Sequence, residues 1–197
     1  MSVILGLLVA TGGAVIGRAL ALRLRARRLT ESEPIDGKRP PVAEVLSAFP
    51  CRLGDVVVRT AERDEAWLAG ALVFEEERPV AALFVAPEAG ADRAVLAREG
   101  IEELLWLSPL PIAELAVTTD PPHTLEHKGV RFERLRRLPV RVTRAGSGAP
   151  SVGDRAVVAE YGGQGSERIV LVAGSEQTLA WTGVALGRRE YDVLPGS

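Results

Sequence analysis

The sequence predicts a mainly β fold, an antiparallel sandwich or barrel-like domain preceded by one N-terminal hydrophobic helix. Two observations lead to this prediction. Beyond residue 50, apolar residues come in short runs separated by glycine, proline and charged residues, as in all-β domains. Residues 3–17 carry no charge and are mostly apolar, which indicates a hydrophobic helix.

We divide the 197 residues into a hydrophobic helix over 1–28, a proline-rich linker over 29–41 and a β-rich domain over 42–197. The first segment carries arginines and no acidic residue, so the remainder is more acidic than the net charge of −2 implies. An acidic domain argues against nucleic acid as a partner.

The stretch 3–22 has the length of roughly 20 residues that a helix needs to cross a bilayer. Arginines follow this stretch and none precedes it, so the positive-inside rule places the N-terminus outside and the main domain in the cytoplasm. The sequence therefore predicts a single-pass anchor in the inner or plasma membrane. The predicted membrane-proximal basic residues are Arg18, Arg23, Arg25, Arg27 and Arg28.

Glycines in the same stretch indicate helix packing. Gly13 and Gly17 have the GxxxG spacing, which places them on one helix face, and Gly6 precedes them. The pattern allows self-association into a homo-oligomer, but the favoured interpretation is that glycine is simply common in membrane spans. An interfacial helix, or a helix buried in a soluble assembly, is the alternative to a span.

In the first half of the domain, residues 42–49 are predicted to form a short helix that Pro50 ends. The segment 92–99 is predicted as a helical turn or short helix. The pair 66–74 and 80–85 has hairpin spacing around an acidic tip. Strands are predicted at 55–59, 66–74, 80–85, 103–107 and 112–117.

The second half continues with strands separated by glycine-rich loops, predicted at 139–144, 156–161, 168–173 and 179–186. The tetrapeptides at 53–56 and 152–155 share a Gly-Asp pair, so the domain consists of two related β halves or the echo is chance. Trp67, Trp106 and Trp181 lie in apolar runs and are predicted to pack in the core.

Several of these motifs together resemble a bacterial family called domain of unknown function 4178. They are Leu53-Gly54-Asp55, the run from Trp67 to Glu75, Trp106-Leu107, the run from Trp181 to Leu186, and the run from Tyr191 to Pro195. The resemblance covers roughly residues 45–195. It implies a β-rich domain encoded near membrane-stress genes of the phage-shock type, and it implies no catalytic residue.

Candidate chemistry is sparse. If residues 122–127 form a helical turn, His123 and His127 lie on one face as metal ligands, although an exposed loop is the favoured interpretation. Cys51 lacks a neighbouring base and is predicted to be structural. The run 162–166 lacks the lysine of a phosphate-binding loop and is predicted to join two strands. The sequence therefore predicts no catalytic residue, cofactor or metal.

One basic stretch stands out, over residues 128–144. Its arginines alternate with apolar residues, which indicates a strand that could touch anionic lipid or an acidic partner, or that pairs with local acids. The candidate partner or lipid patch is Arg131, Arg134, Arg136 and Arg137.

Three functions remain open. The leading hypothesis is a non-enzymatic, membrane-anchored scaffold or adaptor in a cell-envelope or membrane-stress assembly. The second is a subunit of a soluble assembly that packs through its N-terminal helix, and the third is a metal-dependent enzyme.

Overall fold

The computed structural model describes residues 41–87, 92–115, 117 and 120–196. Within these ranges the chain forms one short α helix, one 3-10 helix and a series of strands. Their bounds, in chain order, are α1 Val42–Leu46, β1 Val56–Arg59, β2 Glu65–Trp67, β3 Gly70–Glu75, β4 Pro79–Ala86, β5 Arg93–Arg98, β6 Ile101–Leu110, the 3-10 helix Ile112–Glu114, β7 Thr124–His127, β8 Val130–Gly146, β9 Arg155–Gly162, β10 Glu167–Gly174, β11 Thr178–Leu186 and β12 Tyr191–Leu194.

Eight strands form a closed antiparallel barrel in the order β3-β4-β5-β6-β11-β10-β9-β8, and β8 pairs back onto β3. Strand β8 spans 17 residues and makes this closure possible. One of its edges pairs with β9, while the other pairs first with β7 and then with β3. The prediction of a mainly β, antiparallel fold is confirmed, and the architecture is the barrel.

The barrel interior is filled by alternate side chains from all eight strands, because successive residues of a strand point to opposite faces. The interior is packed by leucines and valines of opposite walls, including Leu72, Leu83, Leu96, Leu105, Val158 and Val170. Each of these side chains is buried. Apolar side chains from opposite walls therefore meet in the middle of the barrel.

Strands β12, β1 and β2 form a separate antiparallel sheet. Val57 of β1 and Ala66 of β2 lie on its inner face, and they share an apolar cluster with Leu46 of α1 and with Phe84 and Trp106 of the barrel. The sheet and α1 therefore cover the outside of the barrel. This cover explains why all the residues of β3 are buried, on both faces of the strand.

Close approach of neighbouring strands requires glycine at Gly183. A Cβ there would lie well inside contact distance of the Trp106 carbonyl oxygen on the adjacent strand β6. Any side chain at this position would push β11 away from β6.

Three predicted elements differ in the structure. Segment 92–99 was predicted as a helical turn or short helix, but it forms β5, whose central residues are buried on both faces. Burial between two apolar layers outweighs the helix propensity of these residues. Segment 112–117 was predicted as a strand, but it begins with the 3-10 helix after Pro111.

The predicted strand 66–74 is two strands. It divides at Leu68 and Ala69 into β2, in the small sheet, and β3, in the barrel. The division places Trp67 on the outer face of the small sheet, 59% exposed, so its predicted place in the core was wrong. Trp106 and Trp181 are buried as predicted.

The sequence similarity between the tetrapeptides at 53–56 and 152–155 is local. Gly54 and Gly153 both have a left-handed backbone, with φ of 90° and 89°. The strands that follow them differ, because β1 belongs to the small sheet and β9 to the barrel. The two tetrapeptides therefore share a turn conformation and precede strands in different sheets.

The predicted helix 1–28 lies outside the described residues, as does the linker 29–41 apart from its last residue. Among the residues that are described, no helix has both the length and the apolar character needed to cross a membrane.

Candidate functional site

The four arginines proposed as a partner or lipid patch lie on β8, around a register shift between Arg134 and Arg136. Arg131 and Arg137 are exposed, whereas Arg134 and Arg136 are half-buried. An Arg137 nitrogen lies 2.9 Å from a carboxylate oxygen of Asp120, and this hydrogen bond lowers the pKa of Asp120. Arg131 lies 4.0 Å from Glu133, another exposed residue.

Arg134 stabilises the segment that leads into β7. Its guanidinium donates a hydrogen bond to the Pro121 carbonyl oxygen at 2.7 Å and contacts the His123 ring. The Tyr161 hydroxyl donates to the neighbouring Pro122 carbonyl oxygen at 2.8 Å. Much of the basic stretch is therefore engaged with local groups, which supports the interpretation that it pairs with neighbouring acids and carbonyls.

A charged cluster lies inside one end of the barrel. Arg98 of β5 lies 3.1 Å from Glu160 of β9, and it also contacts Glu103 of β6. Arg136 of β8 lies 3.9 Å from the other oxygen of Glu160, and Arg168 of β10 lies close enough to influence the same carboxyl.

Glu160 is 3% exposed. Its burial raises the pKa of its carboxyl, and the nearby Glu103 acts in the same direction, while the three arginines oppose them. Sequence reasoning missed this cluster, because Arg98 and Glu160 are 62 residues apart and no local motif connects them. The ion pairs of this cluster can connect strands on different walls of the barrel.

The alternative that pairs the two histidines on a helical turn is wrong, and so is the favoured exposed loop over residues 124–127. Residues 124–127 form strand β7 rather than a helical turn, so residues four apart are separated by roughly 13 Å along the strand. His123 is exposed, while His127 is buried with its Nδ1 3.8 Å from a Glu114 oxygen. Across the described ranges, no group of three or more His, Cys, Asp or Glu residues is placed to hold a metal ion.

Two further candidates behave as predicted. Cys51 is buried, and burial together with the nearby Asp55 raises the pKa of its thiol to about 12. A thiol with this pKa is a poor nucleophile at neutral pH. Residues 163–166 connect β9 to β10, so the glycine-rich run is a hairpin loop.

The outer face of the small sheet is an exposed apolar surface, which we call the docking face. Val56 of β1 lies opposite Leu194 of β12 on one side and opposite Trp67 of β2 on the other. Cross-strand partners share a face, so the three side chains form a row. Leu194 is 52% exposed and Trp67 is 59% exposed.

The next row of the docking face carries charge. Val58 lies between Asp192 and Glu65, its partners on the neighbouring strands, and both acids are exposed. The two rows together hold three apolar side chains in line, one further valine and two carboxylates. Sequence reasoning missed this face because it placed Trp67 within one long strand, and only the break after Trp67 reveals its outward direction.

The glycines predicted to pack helices and the five arginines predicted to lie near the membrane fall outside the described residues. Comparison of the chain with protein-family models, curated proteins and solved structures finds no match. The resemblance to the domain of unknown function 4178 therefore stays a prediction, and function is inferred from the residues themselves.

Proposed function

We propose that this chain is a non-catalytic adaptor, anchored in the inner or plasma membrane through residues 3–22, whose cytoplasmic β domain binds a protein partner in a cell-envelope or membrane-stress assembly. The observation that carries this proposal is the docking face, where Trp67, Val56 and Leu194 form one row with Trp67 and Leu194 exposed and Val56 half-buried.

An exposed tryptophan beside two aliphatic side chains favours protein binding. When a partner covers apolar surface that was exposed to water, the free energy falls by about 25 cal/mol per Å². Tryptophan is enriched among the residues that contribute most to protein interfaces, commonly about 2 kcal/mol each. Trp67 stands on a strand of a regular sheet, so its position is set before a partner arrives.

The charges around the row indicate the chemistry of the partner. Glu65 and Asp192 border it, and none of the six side chains of the docking face is basic. A partner with an apolar pocket bordered by lysine or arginine complements this face. A second copy docked face to face would bring carboxylates together, and an anionic lipid surface would be repelled.

The membrane part of the proposal rests on the sequence of the first 28 residues. An apolar stretch followed by arginines favours a single span with the β domain on the cytoplasmic side. The test is fractionation of the full-length protein. We expect recovery with membranes and release only by detergent, and recovery in the soluble fraction without detergent would reject the anchor in favour of a soluble assembly.

The docking face is tested by crosslinking in native membranes. A photoreactive amino acid replaces Leu194 in the full-length chain, and the matched control places it at Leu135, which is 61% exposed on β8. We expect a specific crosslink from position 194, and mass spectrometry should map it to a peptide of another protein that contains lysine or arginine.

The identified partner is then purified and titrated with the full-length chain. Trp67→Ala should weaken binding by roughly thirtyfold, whereas Leu135→Ala should leave the Kd unchanged. Crosslinks only to a second copy, only to lipid, or equally from both positions would overturn the proposal.

A further inference from the structure

A cavity of about 610 Å³ opens at the end of the barrel opposite the Arg98–Glu160 pair. Val85 of β4 and Leu179 and Trp181 of β11 line it, and all three belong to the apolar set that fills the barrel interior. The volume lies within the range of roughly 300–1,000 Å³ that is typical of small-molecule sites.

The rim is rich in proline. Four of the lining residues are prolines, namely Pro87, Pro109, Pro111 and Pro150. The proline ring fixes φ and removes the backbone N–H. These four positions therefore offer a ligand no backbone donor.

The charged groups at the rim are balanced. Asp92 and Arg93 both line the cavity. Arg93 is already engaged, because its guanidinium donates hydrogen bonds to an Asp64 carboxylate oxygen at 3.2 Å and to the Ser108 hydroxyl at the same distance. A charged ligand would therefore have to compete with an existing ion pair.

We propose that this cavity binds one uncharged, apolar small molecule, such as an aliphatic chain with a neutral end group. This site is separate from the docking face, since its lining residues and those of the face do not overlap.

The test uses bromododecanol, a neutral chain whose bromine quenches tryptophan fluorescence on contact. The protein is the full-length chain with Trp67→Phe, kept in solution by an amphipathic polymer. The remaining tryptophans are Trp181, in the cavity, and Trp106, in the cluster outside the barrel wall. We expect saturable quenching, and we expect Trp181→Phe to remove it.

Two variants that fill the cavity, Val85→Phe and Leu179→Phe, should each weaken binding by about tenfold. The matched control, Leu135→Phe at an exposed site outside this cavity, should leave the affinity unchanged. Circular dichroism verifies that each variant is folded. Quenching that never saturates, or equal affinity in folded cavity-filling and control variants, would overturn the proposal, as would tighter binding of bromododecanoate than of the alcohol.

Discussion

The guanidinium of Arg98 lies 3.1 Å from the carboxylate of Glu160, and the two residues come from strands β5 and β9, on opposite walls of the barrel. Their side chains are 15% and 4% exposed. Strands that far apart in the sheet order share no backbone hydrogen bonds. The ion pair therefore links opposite walls of the barrel at the charged end of its interior.

We expect Glu160→Gln to lower the free energy of unfolding by about 2 kcal/mol, because the half-buried Arg98 would lose one of the two carboxylates that it pairs with among the described residues. The measurement is urea unfolding followed by circular dichroism. The control is Glu133→Gln, which breaks an exposed pair and should cost less than about 1 kcal/mol. A double-mutant cycle with Arg98→Met should show that the two residues are coupled, and equal losses in Glu160→Gln and the control would contradict this role.

Stability at alkaline pH should depend on Tyr161. Burial raises the pKa of its hydroxyl from 10.0 to about 12, so the folded state holds this proton more tightly than the unfolded state. The resulting stability is fully present below pH 10 and is lost as the pH rises towards 12. We expect the free energy of unfolding to fall less steeply over this window in Tyr161→Phe than in the wild type.

Denaturant titrations at several alkaline pH values measure the two slopes. The pKa of Cys51 is also raised to about 12, but Cys51 is present in both proteins, so the difference between the slopes reports Tyr161. Identical slopes would show that the folded state does not hold the tyrosine proton more tightly.

The two tryptophans of the first half should respond in opposite ways to truncation. Trp67→Ala should change the free energy of unfolding by no more than about 0.5 kcal/mol, because the side chain is exposed. Trp106→Ala should cost about 3 kcal/mol or more, since Trp106 is buried and also lies 5.9 Å from the Arg59 guanidinium. Thermal and urea unfolding measure both. A large loss in Trp67→Ala would mean that Trp67 supports the fold and would weaken its assignment to docking.

Gly183→Ala should destabilise the barrel by about 1–3 kcal/mol, because the added methyl group meets the backbone of β6. Gly187→Ala is the matched control, since a Cβ there meets only the end of the Glu190 side chain, at 3.4 Å. We expect the control to unfold at the same urea concentration as the wild type. Equal midpoints for both variants would show that β11 and β6 can separate without cost.

Much of the fold follows from patterns that are local in sequence. Strands β9, β10 and β11 and the hairpin of β3 and β4 are readable because apolar runs alternate with glycine or charged turns, whereas β7 and β12 were not predicted as strands. Strand β5 is not readable in this way, because its alanine, leucine and arginine favour a helix and only burial between two layers makes it a strand.

The candidate sites were less predictable, for two physical reasons. The direction of Trp67 depends on where one apolar run divides into two strands, and a shift of one residue reverses the face of a strand. The Arg98–Glu160 pair and the cavity depend on which distant strands meet, and chain closure decides that. No local sequence pattern predicts the Arg98–Glu160 pair or the cavity.

The pairing of β3 with β8 joins residues 70–75 to residues 141–146. The two strands are far apart in sequence, so their pairing has a high contact order. We therefore expect barrel closure to be a late step of folding, after the intervening strands have formed. Until β8 arrives, one edge of the apolar strand β3 lacks its native partner and can pair with another chain. During synthesis, the interval between the emergence of β3 and that of β8 is therefore when the growing chain is most exposed to aggregation.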